Sequence, residues 1–174
     1  GLDLSENSIS YAIENAHNGA IFKVHDMRDA LPVQNMDYVF NLFTSFGYFE
    51  EEKTDLTILQ NQFEALKKGG IFVQDYLNAE SIKSALPQQE LIKKPKNIYS
   101  IKKYIEDGSI KKQITFVKDG IDQTYTEQVK IYPIEALKSL HEEAGFQVQQ
   151  ILGDYTLASF DAKTSKRIII ISKK

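Results

Sequence analysis

The chain reads as an α/β fold: near-continuous apolar strands and amphipathic helices around a parallel, two-sided sheet, with an antiparallel insertion and a closing antiparallel hairpin. Three observations predict it. Asp37–Leu42, Lys53–Lys67 and Ile71–Tyr76 run as strand, helix and strand, with both strands largely apolar. Asp107-Gly108 and Asp119-Gly120 then separate three stretches of strand character, a hairpin signal repeated twice. Finally, Phe146–Leu152 and Arg167–Ser172 are two further strands joined by a loop.

Taken in order, Leu2-Asp3-Leu4 is the end of a buried strand and Ser5 an N-cap. Behind it Ser8, Ile9, Ala12, Ile13 and Ala16 recur at helical spacing, predicting a helix over 6–17. A short strand at Ala20–Val24 leads into the loop Asp26-Met27-Arg28-Asp29. Leu56, Leu59, Phe63 and Leu66 form one stripe of the 53–67 helix, and Gly69-Gly70 is its expected stop. Ile98–Ile105, Lys111–Val117 and Gln123–Ile131 are the strands of the insertion, placed at about 97–132; a piece this short does not form its own core and belongs to the same domain. Pro133 opens a helix with Ile134, Leu137, Leu140 and Ala144 on one face, and Gly145 ends it.

At 174 residues, 42% hydrophobic and 11% aromatic, the chain suffices for one core, so residues 1–174 are read as a single domain. A net charge of -3 gives no electrostatic case for nucleic acid. There is no cysteine, hence no disulfide framework or thiolate chemistry, and the longest aliphatic run, Ile168–Ile171, is far short of a membrane span. The expectation is a soluble, cytoplasmic protein with no nucleic-acid or membrane partner. His17 is placed at a helix end, His141 on an exposed helix face, and His25 beside Asp26 in a structural role; no metal-ligand spacing appears. Lys93, Lys94, Lys96, Lys102, Lys103, Lys111 and Lys112, interleaved with Tyr99 and Tyr104, are read as the solvated face of a small sheet rather than a nucleic-acid track.

Asp3 is the residue that bears most on function. A carboxylate at a strand tip just before a helix is how nucleotide-binding α/β folds grip two ribose hydroxyls, being acceptor-only and able to take both. In those folds the acid lies on the second strand, and a glycine loop precedes it by ~20 residues, ahead of Gly1 here. Asn41 ends a strand, and ligands of open α/β sheets bind beyond strand C-termini; Asp75-Tyr76 ends the next.

The order and spacing of Gly1-Leu-Asp-Leu-Ser5, Asp26-Met27, Asp37 to Tyr48, Leu66-Lys-Lys-Gly-Gly70 and the closing helix and hairpin resemble the class I S-adenosylmethionine-dependent methyltransferases across almost the whole chain. The insertion before the last helix resembles the small-molecule subfamily, in which it covers the active site. The resemblance implies a Rossmann-like sheet that lacks its first strand here. It also implies S-adenosylmethionine as cofactor, with Asp3 on the ribose, Leu4 against the adenine, Asp26 on the adenine amino group and Met27 along the ring. Asn41, Leu42 and Phe43 would line the methionine part, and Phe46, Tyr48 and Tyr76 would face a small-molecule acceptor. Arg28 and Asp29 are read as a pair, and no general base is evident beyond Tyr48 by position. With the glycine-loop strand absent, the strands at 1–4 and 37–42 lose the neighbour between them. A shortened gene product, direct closure of the two strands and a homodimer that fills the gap are all open, dimerisation being the expectation. Two other functions stay in view: a non-catalytic methyltransferase-like scaffold that binds no cofactor, and a nicotinamide-dependent oxidoreductase, whose second-strand acid would also hold ribose.

Overall fold

A computed structural model describes every residue except Ser84 and Lys96. Its organising element is the long strand β4 (Leu66–Leu77), which pairs in parallel with β3 (Met36–Asn41) on one side and antiparallel with β10 (Arg167–Lys173) on the other. Strand β9 (Gln147–Leu152) completes the four-stranded sheet in the order β3-β4-β10-β9, the expected closing hairpin. Ile168 and Ile170 are buried, and with Leu66, Phe72 and Tyr76 they carry the sheet's side of the core, joined by Phe146 just ahead of β9. Helices α2 (Glu52–Ala65) and α4 (Ile134–Glu143) cover that face with Ile58, Leu59, Leu137 and Leu140.

Strand β1 (Leu2–Asp3) pairs in parallel with β2 (Lys23–Val24) in a sheet of two, linked by α1 (Glu6–Glu14). Among the described residues no ladder joins this pair to β3, so direct closure of the two strands is not what the chain adopts. Tyr38 and Phe40 on β3 are exposed and stack at 6.1 Å.

Several boundaries differ from the sequence reading. Ser5 caps α1 as expected, accepting from the Ser8 N–H at 3.2 Å, but the helix stops at Glu14 because Asn15 turns its amide onto the Tyr11 carbonyl. His17 therefore lies beyond the helix. Helix α2 stops at Ala65, where Leu66 turns extended; Gly69-Gly70 instead belongs to the start of β4. Gly69 takes φ +80°, and a Cβ at Gly70 would meet the Lys67 and Met36 carbonyl oxygens at 2.9 and 3.0 Å, so a close backbone approach requires these glycines.

The insertion is a sheet of four strands, not three: β5 (Gln88–Lys94), β6 (Asn97–Glu106), β7 (Ser109–Lys118) and β8 (Ile121–Lys130). Strand β5 escaped prediction because Gln-Gln-Glu-Leu-Ile-Lys-Lys is polar and wholly exposed. Both Asp-Gly turns form as expected, with positive φ at Asp107, Gly108, Asp119 and Gly120. The short helix α3 (Ala79–Lys83) precedes this sheet. Of the insertion lysines, Lys103, Lys111 and Lys112 pair with Glu90, Glu106 and Glu127, and Lys96 lies outside the described residues. No described helix is long and apolar enough to cross a membrane.

Candidate functional site

A cleft of about 790 Å³ opens beyond the carboxyl ends of β1, β2 and β3, where parallel strands leave room for a ligand. Eight of the ten residues singled out from sequence line it: Asp3, Leu4, Asp26, Met27, Asn41, Leu42, Phe43 and Tyr48. Asp3 accepts the Ser5 N–H at 2.8 Å through Oδ1, which holds its carboxylate at the mouth of the cleft in front of α1. Leu4 presents an exposed side chain beside it.

Asp26 is held by Arg28 rather than left free, and Arg28 does not pair with Asp29. The guanidinium reaches both Asp26 oxygens, with Nη2 to Oδ2 at 2.5 Å, and lies 5.0 Å over the Phe49 ring. The side-chain hydrogen bonds from Arg28 hold the Asp26 carboxyl down at about 2, so it is ionised at neutral pH. Asn61 on α2 fixes this loop by donating to the Arg28 and Asp29 carbonyls at 2.9 and 3.0 Å. Sequence reasoning missed Asn61, since an Asn beside a helix's apolar stripe carries no local sign of its partner.

Three buried polar atoms on the walls have no partner within the protein: His25 Nε2, Asn41 Oδ1 and Gln62 Oε1. Gln62 was also missed, and His25, expected to be structural, lines the cleft. Buried polar groups are normally paired, and a partner is likewise missing at Asp55 Oδ1 and Gln74 Nε2 in the core.

Phe46 and Tyr76 are not brought to the cleft. Both are fully buried, packed edge-on at 6.1 Å in the core. The Tyr76 hydroxyl donates to the Lys130 carbonyl at 2.6 Å, and burial pushes its phenol well above the usual range. Asp75 is likewise buried, tied to Arg167 by an ion pair of 2.7 Å.

A second cleft of about 460 Å³ lies between Gly47–Glu50 and the insertion, where the β6–β7 turn and residues 128–132 form the far wall. Tyr48 and Phe49 line both clefts and so form the wall between them. Lys130 N–H bonds to the Gly47 carbonyl at 2.8 Å, which docks the insertion on this loop, and Ile131 N–H bonds to the Gly108 carbonyl at 2.8 Å within the insertion. Underneath, the buried carboxylate of Asp55 accepts from Lys130 Nζ at 2.8 Å and from the Tyr132 hydroxyl at 2.7 Å.

A family model described as a methyltransferase domain matches residues 1–145. The chain belongs to this methyltransferase-domain family. YqeM of Bacillus subtilis (strain 168) is 22% identical over 186 residues, an alignment that spans all of this methyltransferase chain and 74% of YqeM. Among solved structures, a S-adenosylmethionine-dependent methyltransferase from Clostridium acetobutylicum superposes with a TM-score of 0.81 at 16% identity, over 99% of this chain and 73% of its own. CcbJ methyltransferase from Streptomyces caelestis gives 0.80 at 15%, over 99% and 72%. CalS10 of Micromonospora echinaspora, an amino pentose methyltransferase with the cofactor bound, gives 0.70 at 15%, over 99% and 72%. At these identities the superpositions establish the methyltransferase fold.

Proposed function

We propose that the chain transfers a methyl group from S-adenosylmethionine to a small, polar acceptor, with the cofactor in the larger cleft and the acceptor in the smaller one. The observation that carries this is the gathering of Asp3, Asp26, Met27, Asn41 and Phe43 on one cleft beyond the carboxyl ends of β1, β2 and β3, headed by the Asp3 carboxylate.

The residues fit the cofactor. Asp3 accepts the ribose hydroxyls, Leu4 covers one face of the adenine and Met27 lines its ring with a polarizable surface. Asp26, ionised and with lone pairs beyond those Arg28 uses, accepts the adenine amino group. Asn41, Leu42 and Phe43 line the remaining part. When bound, the cofactor supplies an already activated methyl, so the protein's work is alignment and exclusion of water.

Tyr48 and Phe49 stand between the two clefts, where the acceptor meets the cofactor. Burial pushes the Tyr48 phenol above its ordinary value, so it stays protonated at neutral pH. It therefore orients the acceptor by donating a hydrogen bond and does not serve as a general base. The smaller cleft sets Glu50, Asp107, Ser109, Lys111 and Gln128 against the Phe49 and Tyr132 rings, a lining suited to a compact molecule with several polar groups. CalS10, which acts on an amino pentose, supports that class of acceptor.

Calorimetric titration with S-adenosylmethionine, S-adenosylhomocysteine and NAD tests the reading. The first two are expected to bind and NAD not to, and Asp3→Ala is expected to weaken binding by roughly 10- to 100-fold, the loss of one or two charge-assisted hydrogen bonds. Binding of NAD alone, or Asp3→Ala with unchanged affinity, overturns it. No heat with any of the three would instead support the non-catalytic scaffold, which the family membership does not favour.

A further inference from the structure

Between Asn41 and Ser45 the backbone does something costly. Phe43 and Thr44, consecutive and neither of them glycine, take φ +58° and +64°, the left-handed region in which a Cβ crowds the chain at about 1 kcal/mol or more per residue. The consequence is a reversal of sides. Thr44 is turned into the protein and buried, while Phe43 is turned out, 76% exposed, onto the cleft.

One carboxylate holds that conformation. Asp75, at the end of β4 and only 1% exposed, accepts the Phe43 N–H at 2.9 Å through Oδ2, and its own carbonyl accepts the Thr44 N–H at 3.0 Å. Two groups, one on the neighbouring strand β10 and one in the connection before it, hold Asp75 in turn. Arg167 Nε, at the start of β10, donates to Oδ1 at 2.7 Å, and its Nη2 continues to the Thr44 hydroxyl at 2.9 Å. Tyr155, in the β9–β10 connection, donates its hydroxyl to Oδ2 at 2.8 Å although the residue as a whole is 62% exposed. All five contacts join groups distant in sequence, and of the residues that make them only Phe43 lines the cleft.

We infer that Asp75, clamped by Arg167 and Tyr155, is a positioning residue that sets Phe43 and Asn41 at the edge of the cofactor cleft, so that the β9–β10 connection governs cofactor affinity without touching the cofactor. The affinity part of this rests on the function proposed above; the positioning part stands on the free protein. A buried ion pair contributes little net stability against an apolar replacement, but it fixes geometry, which is what a strained loop at a binding edge requires.

Amide hydrogen exchange on the full chain tests positioning without any ligand. The expected result for Asp75→Asn and for Tyr155→Phe is exchange at Phe43 faster by at least about tenfold, the loss of one charge-assisted bond, with Gln74 and Ile170 in the β4–β10 ladder unchanged. Tyr155→Phe alters a surface side chain and serves where Asp75→Asn does not fold. Titration of the same variants is expected to show S-adenosylmethionine binding weakened by about fivefold or more, with Arg167→Lys retaining more affinity than Arg167→Met. An unchanged Phe43 amide, or acceleration of all amides together, overturns positioning; a loosened Phe43 with unaltered cofactor affinity overturns control of the cleft. Should the unaltered chain bind no S-adenosylmethionine, the proposed function falls, and the exchange data still decide whether Asp75 positions the loop.

Discussion

Acidification isolates one buried group, His141. It lies on α4, fully buried, against the rings of Phe72 at 5.3 Å and Phe146 at 5.6 Å. Its Nε2–H donates to the Gln74 side-chain oxygen on β4 and its Nδ1 accepts from the Ser172 hydroxyl on β10, each at 2.8 Å. Burial lowers its pKa to about 4, against 6.5 in an unstructured chain. The sign follows directly. Between pH 6.5 and 4 the unfolded chain takes up a proton that the folded one refuses, so the stability present above 6.5 is lost as pH falls toward 4 and does not change further below it. A shift of this size corresponds to about 3 kcal/mol at 1.36 kcal/mol per pH unit, and to roughly 6–12 °C in Tm for a chain of this length. Urea unfolding of wild type and His141→Gln from pH 7.5 to 3.5 removes the background of the carboxylates, which both proteins share. The difference between the two curves is expected to be flat above pH 6.5 and to change by about 3 kcal/mol in favour of the variant by pH 4. Parallel curves across the whole range would refute a neutral, buried imidazole.

Lys130→Met leaves the Asp55 carboxylate buried beside Tyr132 alone, and is expected to cost about 3–5 kcal/mol in urea unfolding, most of it recovered in the double variant Asp55→Leu/Lys130→Met; a cost below about 1 kcal/mol speaks against the pair as described. Gly47→Ala is expected to destabilise by at least about 2 kcal/mol, because φ is +78° and the new Cβ falls 2.5 Å from the hydroxyl of the immobile Tyr76. Gly108→Ala, with φ +69° and open space around it, is the control and is expected to cost only about 1 kcal/mol; equal losses in the two would remove the close approach as the cause.

What could be read from sequence follows the range of the interactions. Ser5 as a cap, the two Asp-Gly turns and the helix after Pro133 are local matters of hydrogen-bond satisfaction and periodicity, and each appears as expected. Of the eight cleft residues, Asp3 and Asn41 were legible from their places at strand ends, and the other six followed from the resemblance to the methyltransferase family. His141 was misread, although Ile134, Leu137, His141 and Ala144 fall at helical spacing and put it within the apolar stripe; its partners Gln74 and Ser172 come from two separate strands and leave no local trace. Phe46 was misplaced for a backbone reason. The resemblance assigns it to the acceptor side, but after the double left-handed turn at Phe43-Thr44 the chain carries Phe46 into the core.

The segment from Asn41 to Glu50 is therefore the piece of chain on which the two clefts depend, and it is pinned at both ends by buried charge. Asp75 and Arg167 fix its start; Asp55 and Lys130 stand beneath its end, where the Gly47 carbonyl receives the Lys130 N–H. Apolar packing would hold the same elements together at least as firmly, because taking charges out of water offsets most of what their attraction returns. It would not, however, dictate where Phe43 and Tyr48 stop. Ion pairs with additional hydrogen bonds are satisfied in one arrangement only, and removing one partner leaves an uncompensated charge in place of a slightly looser contact. A methyl transfer that relies on alignment needs walls that do not drift. Two buried carboxylates, each with an assigned cation and a hydroxyl (Tyr155 for Asp75, Tyr132 for Asp55), supply them at the two ends of the segment.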